Sequence, residues 1–238
     1  MSNTAQNAWV RTWLFALPLY AVLVGYATRV AQPDQVSDPE NWARFVSTTS
    51  YLVEHVLANV VGTALAIFGT FALGAYLAGS RRSRSALWGM ALAVNGHVLF
   101  TVPGVVSTFV TPAIGSAYLD GNREAITIEF SPLLMAVFGL ALVMALVGNA
   151  LLAAALWGSH RFPRWVGLLW AAGTLVFYLF GAVLGLATTG ASLSTQPIGA
   201  GLLLLAATAI SWMARREPED EPLETPQSAS SLGEASRS

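Results

Sequence analysis

The chain contains no cysteine and no lysine, and only 11% of its 238 residues are charged. Without cysteine there is no disulfide, no iron–sulfur cluster and no thiolate zinc site. Without lysine there is no Schiff base to retinal or pyridoxal, and all twelve basic residues are arginine. A soluble domain carries about 25% charged residues, so this chain is too apolar to live in water. No nucleotide-binding glycine loop, HExxH helix, serine-hydrolase elbow or basic nucleic-acid patch occurs. The net charge of −1 says nothing about partners, but the distribution of charge does.

What is present is apolar: 55% of residues are hydrophobic, in repeated windows of the ~20 residues a helix needs to cross ~30 Å of hydrocarbon. Backbone amides in lipid must be satisfied within the segment, and long non-alternating Ala/Leu/Val/Gly runs do this as helices rather than barrel strands. The fold class is therefore all-α, a polytopic membrane bundle of six transmembrane helices. The spans are expected at about 12–30, 53–79, 86–107, 132–157, 165–189 and 197–214. A cleaved signal peptide is the competing reading of the first span. The length of that run and the lack of a clear small-x-small site argue against it. The six spans make one transmembrane domain over 1–214. The proline-rich acidic stretch 215–238 reads as a disordered cytoplasmic tail.

Arginines 81, 82, 84, 161 and 164 fall in two short gaps, and Arg11, Arg215 and Arg216 flank the first and last spans. Arginine at span ends marks the cytoplasmic side, so both termini are expected there, in an inner (cytoplasmic) membrane. Six tryptophans (9, 13, 88, 157, 165 and 212) fall near the same span ends, where amphipathic rings favour the headgroup region.

Gly69–Arg82 returns 79 residues later as Gly148–Arg161, with seven of fourteen positions identical. Both copies end an apolar run at Gly-Ser-basic-Arg. Spans two–three and four–five are thus expected to be hairpins of the same orientation, a parallel repeat rather than the inverted repeat of many transporters. Locally, Ser131-Pro132 predicts an N-cap with proline at the first helical position, and Pro103 predicts a kink. Asp38-Pro39 predicts a short external helix carrying Trp42, Phe45 and Val46. Thr111-Pro112 predicts a second, stopping near Gly121. The glycines 62, 69, 74, 79, 181 and 185 allow close helix approach, with internal packing a commoner use than dimerisation.

Two polar layers are candidates for chemistry. At the outer end, Glu54, His55, Asn59 and Glu129 gather two carboxylates, an imidazole and an amide. Such groups suit a proton-exchanging site or, more weakly, a divalent metal. One histidine and no repeated ligand spacing leave Glu54, His55 and Glu129 as weak metal candidates, and no metal or other cofactor is expected. The plainer reading is that they face water, with Glu54 complementing a helix dipole. Deeper, Asn95, Thr70 and Asn149 are expected at one level, as helix glue or as ligand contacts. His97 lies near the midplane, where an ionisable group invites a proton-relay, ligand or cofactor role. Haem between His55 and His97 is strained, because the two differ in depth by ~10 Å along their helices.

The functional expectation is small-ligand binding or transport through spans two to five, by a chain leaning away from enzyme. The lipid bilayer is its one certain partner. A small apolar ligand and a homo-oligomer or membrane-complex partner are further candidates, and nucleic acid is not. A redox or metal enzyme with an outer-face site, and a non-catalytic membrane subunit, are the alternatives.

Overall fold

The computed structural model describes residues 3–128, 131–185 and 194–216, and among these there is no strand. Six helices are long and apolar enough to cross a membrane: α1 (Asn7–Ala27), α3 (Thr49–Leu77), α4 (Ser83–Leu119), α5 (Pro132–Gly158), α6 (Arg164–Leu184) and α7 (Gln196–Arg216). A short helix, α2 (Pro39–Val46), lies between the first two. The chain is a helical multi-pass membrane protein. Residue 129, with the candidate Glu129, and the tail from residue 217 lie outside the described residues.

The helices pack in chain order, α3 on α4, α4 on α5, α5 on α6 and α6 on α7, and α1 closes the ring against α3 and α7. Such a ring has an axis that must be filled. In the half nearer the chain termini, called here the terminal side, Leu14, Leu17, Leu73, Leu77, Leu152 and Ile210 fill it. The α4–α5 contact is the broadest, and it is made by small residues. A methyl group on Gly148 would stand 2.3 Å from the Ala93 nitrogen, and one on Gly96 would stand 2.6 Å from the Ala145 nitrogen. Lipid gives no hydrophobic drive between helices, so close backbone approach supplies the dispersion that holds them.

The expected hairpins are present, both turning on the terminal side. Their turns share a bond: the Arg82 amide donates to Ser80 Oγ (3.3 Å), and the Arg161 amide donates to Ser159 Oγ (3.2 Å). Ser131 caps α5 by accepting from the Leu134 amide (3.2 Å), with Pro132 first in the helix. Asp38 caps α2 by accepting from the Asn41 amide (3.3 Å).

The second external helix is not separate. Thr111-Pro112 lies inside α4, which continues to Leu119 through a π-helical turn at Val106–Val110. Proline lacks only its own amide, and the wider turn absorbs the mismatch, so a Thr-Pro pair need not start a new helix. The stop falls where expected. Gly121 takes φ 102°, the Asn122 amide bonds Ala117 O (3.0 Å) and the Gly121 amide bonds Tyr118 O (3.2 Å), a Schellman ending. Helix α2 packs on this extension of α4, where Trp42, Ala43, Val46, Tyr51, Ile114 and Tyr118 form a second core beyond the ring's distal end.

A cavity at the centre of the ring

In the distal half the axis of the ring is open. A cavity of about 240 Å³ lies there, lined from five of the six spanning helices up to the first residue of the sixth. That volume would hold about 8 waters at ~30 Å³ each, the scale of a small organic molecule. Three of the helices that line it carry π-helical turns where they pass it: Val56–Gly62 in α3, Val106–Val110 in α4 and Leu175–Leu184 in α6. These turns bring Ala58 and Asn59, Ser107, and Phe177, Tyr178 and Ala182 to the wall. A π turn holds one residue more than an α turn, and it recurs where a helix is reshaped around a site.

The floor is formed by Tyr20, His97 and Tyr178. Counted at ~1.5 Å per residue from the terminal-side start of α1, α4 and α6, all three stand at about 20 Å. The hydroxyls of Tyr20 and Tyr178 share a hydrogen bond (3.2 Å), in which one is donor and the other keeps a proton uncommitted among the described residues. His97 is 6% exposed. It meets the Tyr20 ring edge-on at 5.7 Å, and neither of its ring nitrogens has a hydrogen-bond partner among the described residues. Phe100, Phe138, Leu142 and Phe177 give the walls an apolar surface. Towards the rim come Thr28, Gln32, His55 and Ser107.

The rim is fixed in place. His55 Nδ1 pairs with Tyr51 O (2.9 Å), and its ring stacks on Tyr51 at 3.7 Å. Asn59 donates to Thr108 Oγ1 (3.1 Å) and Gly104 O (3.4 Å), tying α3 to α4. Glu54 is absent from the cavity lining. It accepts from Arg29 Nη2 (2.7 Å) and Ser50 Oγ (2.9 Å), and this partnership raises the Arg29 pKa above its ordinary value. Asp34 turns the loop after Gln32 by accepting from the Val36 (2.9 Å) and Ser37 (2.6 Å) amides. Those bonds, Ser37's foremost, hold its pKa below the usual 3.8. Among the described residues no three of His, Asp and Glu gather closely enough to hold a metal ion.

Below the floor is a second, much smaller void of about 20 Å³, where Thr70 and Asn149 meet His97 and Trp170. Asn149 is engaged at both ends of its amide: Nδ2 donates to Ala145 O (2.9 Å), and Oδ1 accepts from Trp170 Nε1 (3.1 Å), joining α5 to α6. Asn95 does not join this layer. It is exposed on the outside of the ring and donates to Ala91 O (2.8 Å) on its own helix. The reason is angular. Residues two apart on a helix point to nearly opposite sides, so Asn95 and His97 cannot both face inward.

The expected candidates His97, His55 and Asn59 thus meet in one cavity, with Asn149 just beneath it. The lining also draws on the first and last spanning helices, since α1 supplies Tyr20 and Val24, and α7 supplies Gln196. Sequence reasoning passed over Tyr20 and Tyr178. Their signal was depth, since a phenol in mid-span must find a polar partner. No family model matches the chain, and no curated protein or solved structure is significantly similar to it.

Proposed function

We propose that the chain binds a small, uncharged, largely apolar molecule in the central cavity, holding it there or passing it through the bundle. One observation carries the reading: His97, 6% exposed and without a partner among the described residues, lines the cavity. A buried polar group left unpaired costs about 1–3 kcal/mol, so its partner must come from what the cavity holds. The spare tyrosine proton makes the same demand beside it. Among the described residues no carboxylate and no arginine lines the space, and the nearby Glu54 is neutralised by Arg29. A charged ligand would find no counter-ion there, whereas a neutral one with an oxygen or nitrogen at one end fits both demands.

The test is retention of small molecules by purified protein, read by native mass spectrometry. Wild type should carry a bound mass. Ala182→Phe, which fills the cavity from α6, should lose it, and His97→Ala should lower its occupancy. Wild-type retention by both folded variants would remove the cavity from consideration.

The chain's orientation belongs to the same proposal. Every described carboxylate (Asp34, Asp38, Glu40, Glu54, Asp120, Glu124) lies towards the distal end, while arginines 11, 81, 82, 84, 161, 164, 215 and 216 lie on the terminal side. By the positive-inside bias the terminal side is cytoplasmic, in an inner membrane, and the cavity rim faces out of the cell.

A further inference from the structure

The repeated Gly-Ser-basic-Arg turns are not used by the cavity. They lie against each other on the terminal side, and each gives its arginine to the other. Arg161 of the second turn reaches to within 3.3 Å of where a methyl on Gly79 would be, and Arg82 of the first lies 2.9 Å from the same position on Gly158. A methyl on Gly158 would press on the Arg82 side chain, while one on Gly79 would only crowd the flexible end of Arg161. Arg161 goes on to donate to Tyr76 O (3.0 Å) near the end of α3, with its guanidinium 4.9 Å from the Tyr76 ring.

The exchange leaves a cleft between the turns, lined by Gly79, Ser80, Arg81, Ser159, His160 and Arg161. The third residue of each turn, Arg81 in one and His160 in the other, faces this shared space. Neither has a partner among the described residues, and both are exposed. His160 is held at φ 58°, a left-handed conformation that costs a side-chain-bearing residue energy and that the turn imposes. Ser80 Oγ accepts from the Arg82 amide, so its own proton is free to donate. No described carboxylate lies on this side.

We propose that this cleft is a binding site for a phosphate group, held by Arg81, His160, the Ser80 hydroxyl and the outer edge of the Arg161 guanidinium. The planar fork of arginine matches phosphate oxygens, and such charge-assisted hydrogen bonds are the strong class. The turns join helices at the ends of their membrane spans, so the phosphate of an anionic phospholipid headgroup can reach the cleft, as can free phosphate from solution. The site is separate from the central cavity and does not depend on its reading.

The experiment uses the full chain in nanodiscs of phosphatidylcholine, with or without phosphatidylglycerol, and counts retained lipids by native mass spectrometry. A parallel arm titrates inorganic phosphate into phosphatidylcholine discs and follows thermal stability. Arg81→Gln/His160→Gln is compared with Arg84→Gln, an exposed arginine on the same side that does not line the cleft. The double variant should weaken binding by about tenfold or more, the equivalent of one charge-assisted hydrogen bond, while Arg84→Gln binds as wild type does. Selective retention of phosphatidylglycerol assigns the site to a lipid headgroup, and stabilisation by inorganic phosphate alone assigns it to a soluble anion. Equal loss in both variants, or no binding by wild type in either arm, overturns the site. Single Arg81→Lys and His160→Arg variants, which place positive charge at each position, should bind as wild type does, and loss of binding by both folded variants would overturn the site.

Discussion

Gly148→Ala adds one methyl group at the tightest point between α4 and α5, and its effect can be worked from the contact itself. The new carbon would lie 2.3 Å from the Ala93 nitrogen and 2.8 Å from both Ala93 Cα and Gly89 O. Ordinary contact begins at 3.4 Å, so the helices must part locally by 3.4 − 2.3, about 1 Å. All three obstructing atoms are backbone, so no side chain can rotate away. Overpacking of this kind costs about 1–3 kcal/mol, partly offset by the gain of up to ~1 kcal/mol from replacing a helical glycine by alanine.

The control removes that offset. Gly139 is on the same helix with nothing within 4 Å of its would-be methyl, so Gly139→Ala has the propensity gain alone. The difference between the two variants isolates the clash, and should be about 1–3 kcal/mol, read by equilibrium unfolding in mixed micelles. Because Gly96, next to His97, packs against Ala145 along the same seam, parting the helices should also shift the cavity floor and lower ligand retention. Equal stability of Gly148→Ala and Gly139→Ala would show that the seam yields without cost, and the packing argument would fail.

Two other substitutions separate the polar layers. Asn95→Leu should leave stability and ligand retention unchanged, because its amide bonds only its own helix on the outer face. Asn149→Leu should destabilise by about 0.6 kcal/mol or more, because it strands the buried Trp170 Nε1; chemical denaturation of the pair checks both, and equal losses would refute the assignment. Orientation is open to a direct measurement, since the chain has no cysteine to remove. Asn122→Cys should react with a membrane-impermeant maleimide on intact cells and Arg84→Cys only after lysis, and the reverse pattern would invert the topology.

The spans were legible because a ~20-residue apolar run has one physical solution in lipid. The starts of α2 and α5 were legible because Asp38-Pro39 and Ser131-Pro132 satisfy or dispense with amides that a helix start leaves open. Thr111-Pro112 misled for the same reason. It has a capping pair's form, yet the amide that Pro112 lacks is absorbed by a π turn. Those π turns were the illegible part. No residue pattern prescribes Val56–Gly62 or Leu175–Leu184 as wider than α, because the widening arises from packing around the open axis. The inward side of α6 therefore could not be assigned from periodicity, and Tyr178 read as one more aromatic in an apolar run. Asn95 is a different case. Its two-residue separation from His97 already forbade a shared face.

The two hairpins and the cavity are connected through depth. The helices α4 and α6 are the second arms of the two hairpins, and each follows its Gly-Ser turn into the bundle. His97 is the fourteenth residue after Ser83, and Tyr178 is the fourteenth after Arg164. The two side chains therefore stand at one level, and closure of the ring by α1 adds Tyr20 beside them. The 79-residue offset sets His97 against Val176, not Tyr178, so helix packing rather than the repeat puts an imidazole on one arm and a phenol on the other at this level. Where the copies agree, at glycine and arginine in the turns, they make the cleft. The cavity floor lies beyond the repeated stretches, and His97 and Tyr178 reach it from unmatched positions.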